Sequence, residues 1–362
     1  MILITGSTGL IGSAASEYYL KKAKKIIGID NNLRKYFFGS KGSNKWKEKK
    51  LVKNKNYLHY NIDLRNKKKV FDIFKRYKHK ISSIIHTAAQ PSHDWAAKEP
   101  LTDFYVNANA TLNLLEATRI FCPNVPFIFT STNKVYGDTP NFLPLEERKN
   151  RYEIKKNHLY FNKGINETMT IDQSTHSLFG VSKASADLLV QEYGRYFNMY
   201  TACFRGGCLT GENHSGTQLH GFLSFLIKTI INKKKYSVIG YKGKQVRDNI
   251  HSFDVVTAFD NFIKKPKKGA NVYNLGGGRE NSCSILEAIK KIENFTNVKC
   301  DYKILKTNRV GDHIWWITDN SKFKKDFPKW KITKNLDDSL INMIKHEYST
   351  INKIFFENIF YY

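Results

Sequence analysis

Ile2-Leu3-Ile4-Thr5-Gly6-Ser7-Thr8-Gly9-Leu10-Ile11-Gly12 is a short apolar run that breaks into a GxxGxxG turn and continues with helical spacing through Leu20. Glycines at these positions permit a tight turn and close backbone approach, so that amides at the helix start can bind a pyrophosphate. Glycine spacing by itself is common in turns. The context adds weight, because Asp30 closes a second apolar run, Lys25–Asp30, 18 residues beyond Gly12. A carboxylate there can accept hydrogen bonds from an adenosine ribose and repel a 2′-phosphate, which selects NAD over NADP. Gly6, Thr8, Gly9, Leu10, Ile11, Gly12, Asp30 and Asn31 are therefore the expected first contacts of the dinucleotide.

Working outward, apolar runs at Tyr57–Asp63, Ile81–His86 and Pro126–Ser131 alternate with helical patterns at Lys67–Tyr77 and Leu101–Phe121. Such alternation implies βαβ units and a parallel sheet covered on both faces. The stretch Asn31–Asn56 is basic and reads as a surface insertion. Asp63 and Leu64 follow the third strand, Ala88, Ala89 and Gln90 the fourth, Asn107 lies in the long helix, and Thr130 lies near the end of the fifth strand. All suit the same groove. A helix at Leu178–Tyr196 leads into a strand at Thr201–Phe204, after which the pattern loosens. The expected fold is α/β, a Rossmann-type doubly wound parallel sheet with a smaller C-terminal α/β substrate lobe. Residues 1–205 would form the NAD-binding domain, with 246–275 returning to it, and 206–245 plus 276–362 the lobe.

Composition bounds the remaining classes. A hydrophobic fraction of 41% supports a buried core and excludes wholesale disorder. No apolar run reaches the ~18 residues needed to cross a bilayer. The chain enters its first strand without a secretory leader, and its five scattered cysteines form no CxxC pair, so a cytoplasmic chain with reduced thiols is expected. Neither HExxH nor another metal-ligand spacing is present, so no metal is assigned. The net charge of +27 raises the question of nucleic acid, yet the lysines are spread over nearly every segment and no recognition motif organises them. They read as solvated surface, with no specific nucleic-acid partner.

The GxxGxxG turn, HTAAQ (86–90), VNANATLNLLEA (106–117) and FIFTSTNKVYGD (127–138) together resemble the extended short-chain dehydrogenase/reductases, the NAD-dependent epimerase/dehydratase family. Within it, the stretch Ser131–Asp138, the pair Arg151-Tyr152 and GKQVRD (243–248) are most similar to the CDP-paratose 2-epimerases. The resemblance runs to about residue 335. It implies a nucleotide-sugar substrate and places Thr132 where the family hydrogen-bonds the reacting hydroxyl. Lys183 stands where the family holds the nicotinamide ribose. Asn133, Arg205, His220, Arg247, Arg309 and Asp312 become the expected substrate contacts, and a homodimer through helices near 101–121 and 178–198 follows by analogy.

One position departs from the family. Its catalytic tyrosine lies four residues before the lysine, on the same helical face, and here that residue is Phe179. Phenylalanine cannot take a proton. The replacement candidates in the sequence are His176, Tyr136, Cys208 and Lys183 itself. Two other readings stay open, a different reaction such as dehydration or reduction, and a binding protein that has lost catalysis. A dehydratase wants an Asp-Glu pair directly after the threonine, whereas Asn133-Lys134 stand there.

Overall fold

The computed structural model describes residues 1–217, 221–308 and 311–359. Seven parallel strands form its main sheet: β1 (Ile2–Thr5), β2 (Ile26–Ile29), β3 (Tyr57–Tyr60), β4 (Ser83–His86), β5 (Phe127–Thr132), β6 (Tyr200–Gly206) and β7 (Gly269–Leu275). Their order is β7-β6-β5-β4-β1-β2-β3, so the chain reverses direction of growth between β1 and β4. That point is the natural crevice of a doubly wound sheet. Register makes the crevice level: Thr5 pairs with both Ile29 and His86, so Gly6, Asp30 and Thr87 leave the sheet side by side.

Both faces of these strands are covered, which explains their unbroken apolar runs; Leu3, Ile4, Ile26, Ile27, Ile84 and Ile85 are fully buried. Covering helices include α1 (Leu10–Lys21), α2 (Lys67–Tyr77), α3 (Ala110–Phe121) and α4 (Leu178–Tyr196). In α2, Val70, Ile73 and Phe74 face inward while the lysines face out, and the Asn66 side chain caps the helix by accepting from the Lys69 amide. Ser177 caps α4 in the same way.

The structure alters three expectations. The helix expected over 101–121 is broken into Pro100–Phe104, a π turn at Tyr105–Asn109, and α3. The π turn carries Asn107, whose carboxamide is tied to Gln90, Asp103 and Ser182. The segment 31–56 is not merely a surface insertion. It folds into helices Arg34–Phe38 and Lys45–Leu51, with Phe37, Lys47 and Leu51 buried. Finally, strand Val246–His251 pairs with Cys208–Thr210, Ser282–Ser284 and Trp315–Trp316 in a second, four-stranded sheet, not with the main one.

The helix Ser252–Lys264 and β7 do return to the main sheet. So does part of the C-terminal region, because Phe323, Phe327 and Trp330 pack into the core around Phe204, Phe259 and Tyr273. Aromatic bulk decides this, with Phe204 only 4.9 Å from Phe259 and 5.5 Å from Phe323 between ring centroids. Helices Phe222–Ile231, Ile285–Thr296 and Leu336–Ile359 share a separate core in the smaller lobe.

Candidate active site

A cavity of about 470 Å³ lies at the crevice between the sheet and the lobe. One end is lined by Gly6, Gly9, Leu10, Ile11, Asp30, Asn31, Asp63, Leu64, Ala88 and Ala89, and Thr130, Thr132, Asn133, Phe179 and Lys183 line its middle. Arg247 and Asp312 close it from the lobe.

The glycine turn fits a dinucleotide for a steric reason. Gly6 sits at φ +61°, and a Cβ there would lie 2.7 Å from the Ala88 nitrogen. A Cβ on Gly12 would lie 2.0 Å from the Gly6 oxygen. Only hydrogen fits at either place. Gly12 does not line the cavity; it lets α1 close onto the turn, whose first amides have no intrahelical acceptor. Thr8 is likewise buried behind the wall, and holds Asp30 by donating to Oδ2 from its amide at 2.9 Å and its hydroxyl at 2.7 Å. The Asn32 amide donates to the other oxygen. The carboxylate is thus fixed by the protein's own donors. Asn31 donates to Asp63 at 3.3 Å, which joins the segments that follow β2 and β3.

Gln90 and Asn107 were expected to touch the cofactor, and neither lines the cavity. Asn107 accepts from the Gln90 amide at 2.9 Å and donates to its carbonyl at 3.1 Å, and the Gln90 side chain donates to Asp103 at 2.7 Å. The pair clamps the turn that presents Ala88 and Ala89.

At the middle of the cavity the Lys183 ammonium donates to the Thr130 carbonyl at 2.9 Å and lies 4.0 Å over the Phe129 ring. Burial lowers its pKa to about 8, with Asp187 opposing. Phe179, one turn earlier, sits in the wall and meets His93 edge-on, with ring centroids 5.1 Å apart. His93 Nδ1 is 2.6 Å from the Ser177 hydroxyl. His93 was missed in the sequence; its place just after the Ala88-Ala89-Gln90 turn was the available signal.

Lys134 was also missed as a site residue, although it stands in the stretch Ser131–Asp138. Its ammonium donates to the Gly311 carbonyl at 3.0 Å and lies 3.4 Å from Asp312. Burial lowers its pKa to about 8, partly offset by Asp312. Asp312 also accepts from Arg247 at 2.6 Å. Burial would raise that carboxyl, but the two cations overcome the effect and hold it far below the ordinary range. Thr132 Oγ1 accepts from the Lys134 amide at 3.2 Å and donates toward Asn133 at 3.4 Å.

Several sequence candidates lie elsewhere. His176 is not in the cavity wall; its ring nitrogens meet the Val135 and Ser174 carbonyls at 2.8 and 3.1 Å. Tyr136 is fully buried, donates to Asn274 at 2.8 Å and stacks on Trp316, and burial pushes its phenol up to about 12. Arg205 is not a cavity residue either. It is paired with Asp187 at 2.8 Å and donates to the Tyr136 oxygen, so its work is inside the fold. Cys208 does line the cavity, and burial pushes its thiol up to about 11. His220 and Arg309 lie outside the described residues.

Comparison with known proteins agrees with this geometry. Residues 2–276 match the model of the NAD dependent epimerase/dehydratase family. The chain is 32% identical over 330 residues to the CDP-paratose 2-epimerase of Salmonella typhi, covering 89% of this chain and 91% of that one. It is 27% identical to the UDP-glucuronate 4-epimerase of Thermodesulfobacterium geofontis, covering 97% and 98%. Among solved structures, the Bifidobacterium longum UDP-glucose 4-epimerase with NAD+ and UDP superposes with a TM-score of 0.76 at 23% identity, covering 97% and 99%. The Thermus thermophilus UDP-glucose 4-epimerase with NAD gives 0.75 at 20%, covering 96% and 98%. A glycine turn that admits only hydrogen, a carboxylate fixed beside it, and a match over most of the chain lead to one conclusion: this protein belongs to the NAD-dependent epimerase/dehydratase family of nucleotide-sugar enzymes.

Proposed function

We propose that the protein is a nucleotide-sugar epimerase that inverts a ring carbon, C2 of a CDP-activated sugar, by transient oxidation and re-reduction. The observation that carries this reading over dehydration is Asn133-Lys134 directly after Thr132, with Lys134 committed to Asp312 and Gly311. Asn133-Lys134 supply no carboxylate pair at that place for the acid/base work of a water-eliminating step. The relative from Salmonella typhi supports the choice of CDP and C2.

The proposed contacts follow from the cavity wall. Gly6, Gly9, Leu10 and Ile11 would hold the NAD pyrophosphate, and Asp30 with Asn31 its adenosine ribose. Bound NAD supplies a hydride acceptor that later returns the hydride. Lys183 would hold the nicotinamide ribose, and its ammonium would favour the alkoxide that forms as the sugar hydroxyl loses its proton. Thr132 would orient that hydroxyl. Arg247, fixed by Asp312, and Lys134 would grip the diphosphate, where a planar guanidinium suits paired oxygens. Exposed Leu101, Phe104, Tyr105, Leu178, Val181 and Leu188 lie on the helices that a homodimer would use. Among the described residues no helix is long and apolar enough to cross a membrane.

The test is a panel of CDP-, UDP- and dTDP-sugars incubated with purified protein and catalytic NAD, with products read by NMR. Appearance of a C2 epimer supports the reading, and a 4-keto-6-deoxy product would replace it with dehydration. Phe179 favours one rival, a binding protein without catalysis; ligand-dependent thermal stabilisation with no turnover of any sugar would establish it.

A further inference from the structure

Hydride cannot leave a carbinol carbon readily unless the hydroxyl proton leaves too, because the alternative product is a protonated ketone. Phe179 offers no oxygen for that proton. The cavity wall beside it does contain a titratable ring. His93 lines the cavity, meets Phe179 edge-on at 5.1 Å, and has Nδ1 2.6 Å from the Ser177 hydroxyl. Ser177 is itself anchored, since its oxygen caps α4 by accepting from the Gly180 amide at 3.1 Å. The imidazole is therefore held by the cap of the helix that carries Phe179 and Lys183, and opens the short helix His93–Lys98 that follows the Ala88-Ala89 turn.

We infer that His93, oriented by Ser177, takes and returns the sugar hydroxyl proton in place of the missing phenol. This rests on the epimerase reading above. In the tautomer with Nδ1–H directed to Ser177, Nε2 carries the lone pair. As the O–H bond breaks, its proton passes to Nε2 and the oxygen pair becomes the C=O bond. NAD, when bound, would supply the acceptor for the C–H electron pair as hydride. On return, hydride adds to the opposite face of the carbonyl carbon and Nε2–H gives its proton back to the oxygen, so atoms and charge balance over the cycle.

Three other titratable groups of the wall, Lys183, Lys134 and Cys208, are less suited. The Lys183 and Lys134 ammoniums are directed to the Thr130 and Gly311 carbonyls. The Cys208 thiol is pushed upward by burial.

The test uses the NAD-loaded protein and the sugar it epimerises. His93→Ala is expected to lower kcat by about 100-fold or more, the range of lost general acid–base catalysis, while the calorimetric affinity for NAD stays within threefold. Added imidazole should restore part of the rate, and Phe179→Tyr in the His93→Ala background should restore more, because it returns a phenol to the same spot. His93→Asn serves if the alanine variant does not fold. A kcat within threefold of the parent overturns the inference, and so does a loss that neither imidazole nor Phe179→Tyr repairs. Failure of the parent protein to epimerise any sugar overturns the function reading instead, and this inference with it.

Discussion

Asp187→Ala should separate a structural arginine from a substrate-binding one. Asp187 accepts from Arg205 through Nε at 3.1 Å and Nη2 at 2.8 Å, and also from Ser131 and Gln191. The Arg205 and Asp187 side chains are 7% and 1% exposed. Removing the carboxylate leaves a buried guanidinium uncompensated, a loss of about 3–5 kcal/mol. Unfolding entropy near 2.1 cal/mol/K per residue, over 362 residues, is about 0.76 kcal/mol/K. The melting temperature should therefore fall by about 4–7 °C, in the NAD-free and NAD-loaded protein alike. Differential scanning calorimetry measures the fall directly. An unchanged melting temperature with a raised KM for the nucleotide sugar would refute this reasoning and make Arg205 a substrate contact.

Other perturbations reach different parts of the account. Gly12→Ala puts a Cβ 2.0 Å from the Gly6 oxygen, so NAD affinity by calorimetry should fall at least about tenfold; an unaltered Kd contradicts the steric argument. Asp312→Asn frees Arg247 and Lys134 from their shared carboxylate, and should change KM for the sugar about tenfold while NAD affinity holds, in steady-state kinetics and calorimetry. The Glu212 hydrogen bond to His251 lowers the Glu212 carboxyl from 4.5 to about 2, and burial opposes. A folded-state value below the unfolded one means this pair stabilises fully above pH 4.5 and fades as pH falls toward 2. Urea midpoints measured against pH should show that decline, and Glu212→Gln should flatten it. Leu188→Asp with Val181→Asp should turn a dimer into monomers in analytical ultracentrifugation, since both side chains are exposed on α4.

The sheet was legible because strands buried on both faces must be apolar throughout, as Ile2–Ile4, Ile26–Ile27 and Ile84–Ile85 are. The glycine turn and Asp30 were legible because their chemistry constrains residue type locally. Long-range pairing left no such trace. Arg205 looks like a free cation until Asp187, 18 residues earlier, is seen folded against it. Gln90 and Asn107 carry polar groups suited to a ligand, yet satisfy each other. His93 gave no periodic signal, and its meaning depends on Phe179 and Ser177, which arrive beside it only through the fold. The segment 31–56 misled for another reason: its lysines suggest solvent, but Lys47 is buried and donates to the Asn213 carbonyl, and Arg34 donates to that of Ser215.

Isotope retention tests the transient-oxidation claim most directly. A CDP-sugar carrying deuterium on C2, converted in ordinary water by the NAD-loaded protein, should give the C2 epimer with the deuterium still on that carbon. An epimer that has exchanged its deuterium for solvent hydrogen would contradict the claim, because inversion would then proceed by proton abstraction from carbon.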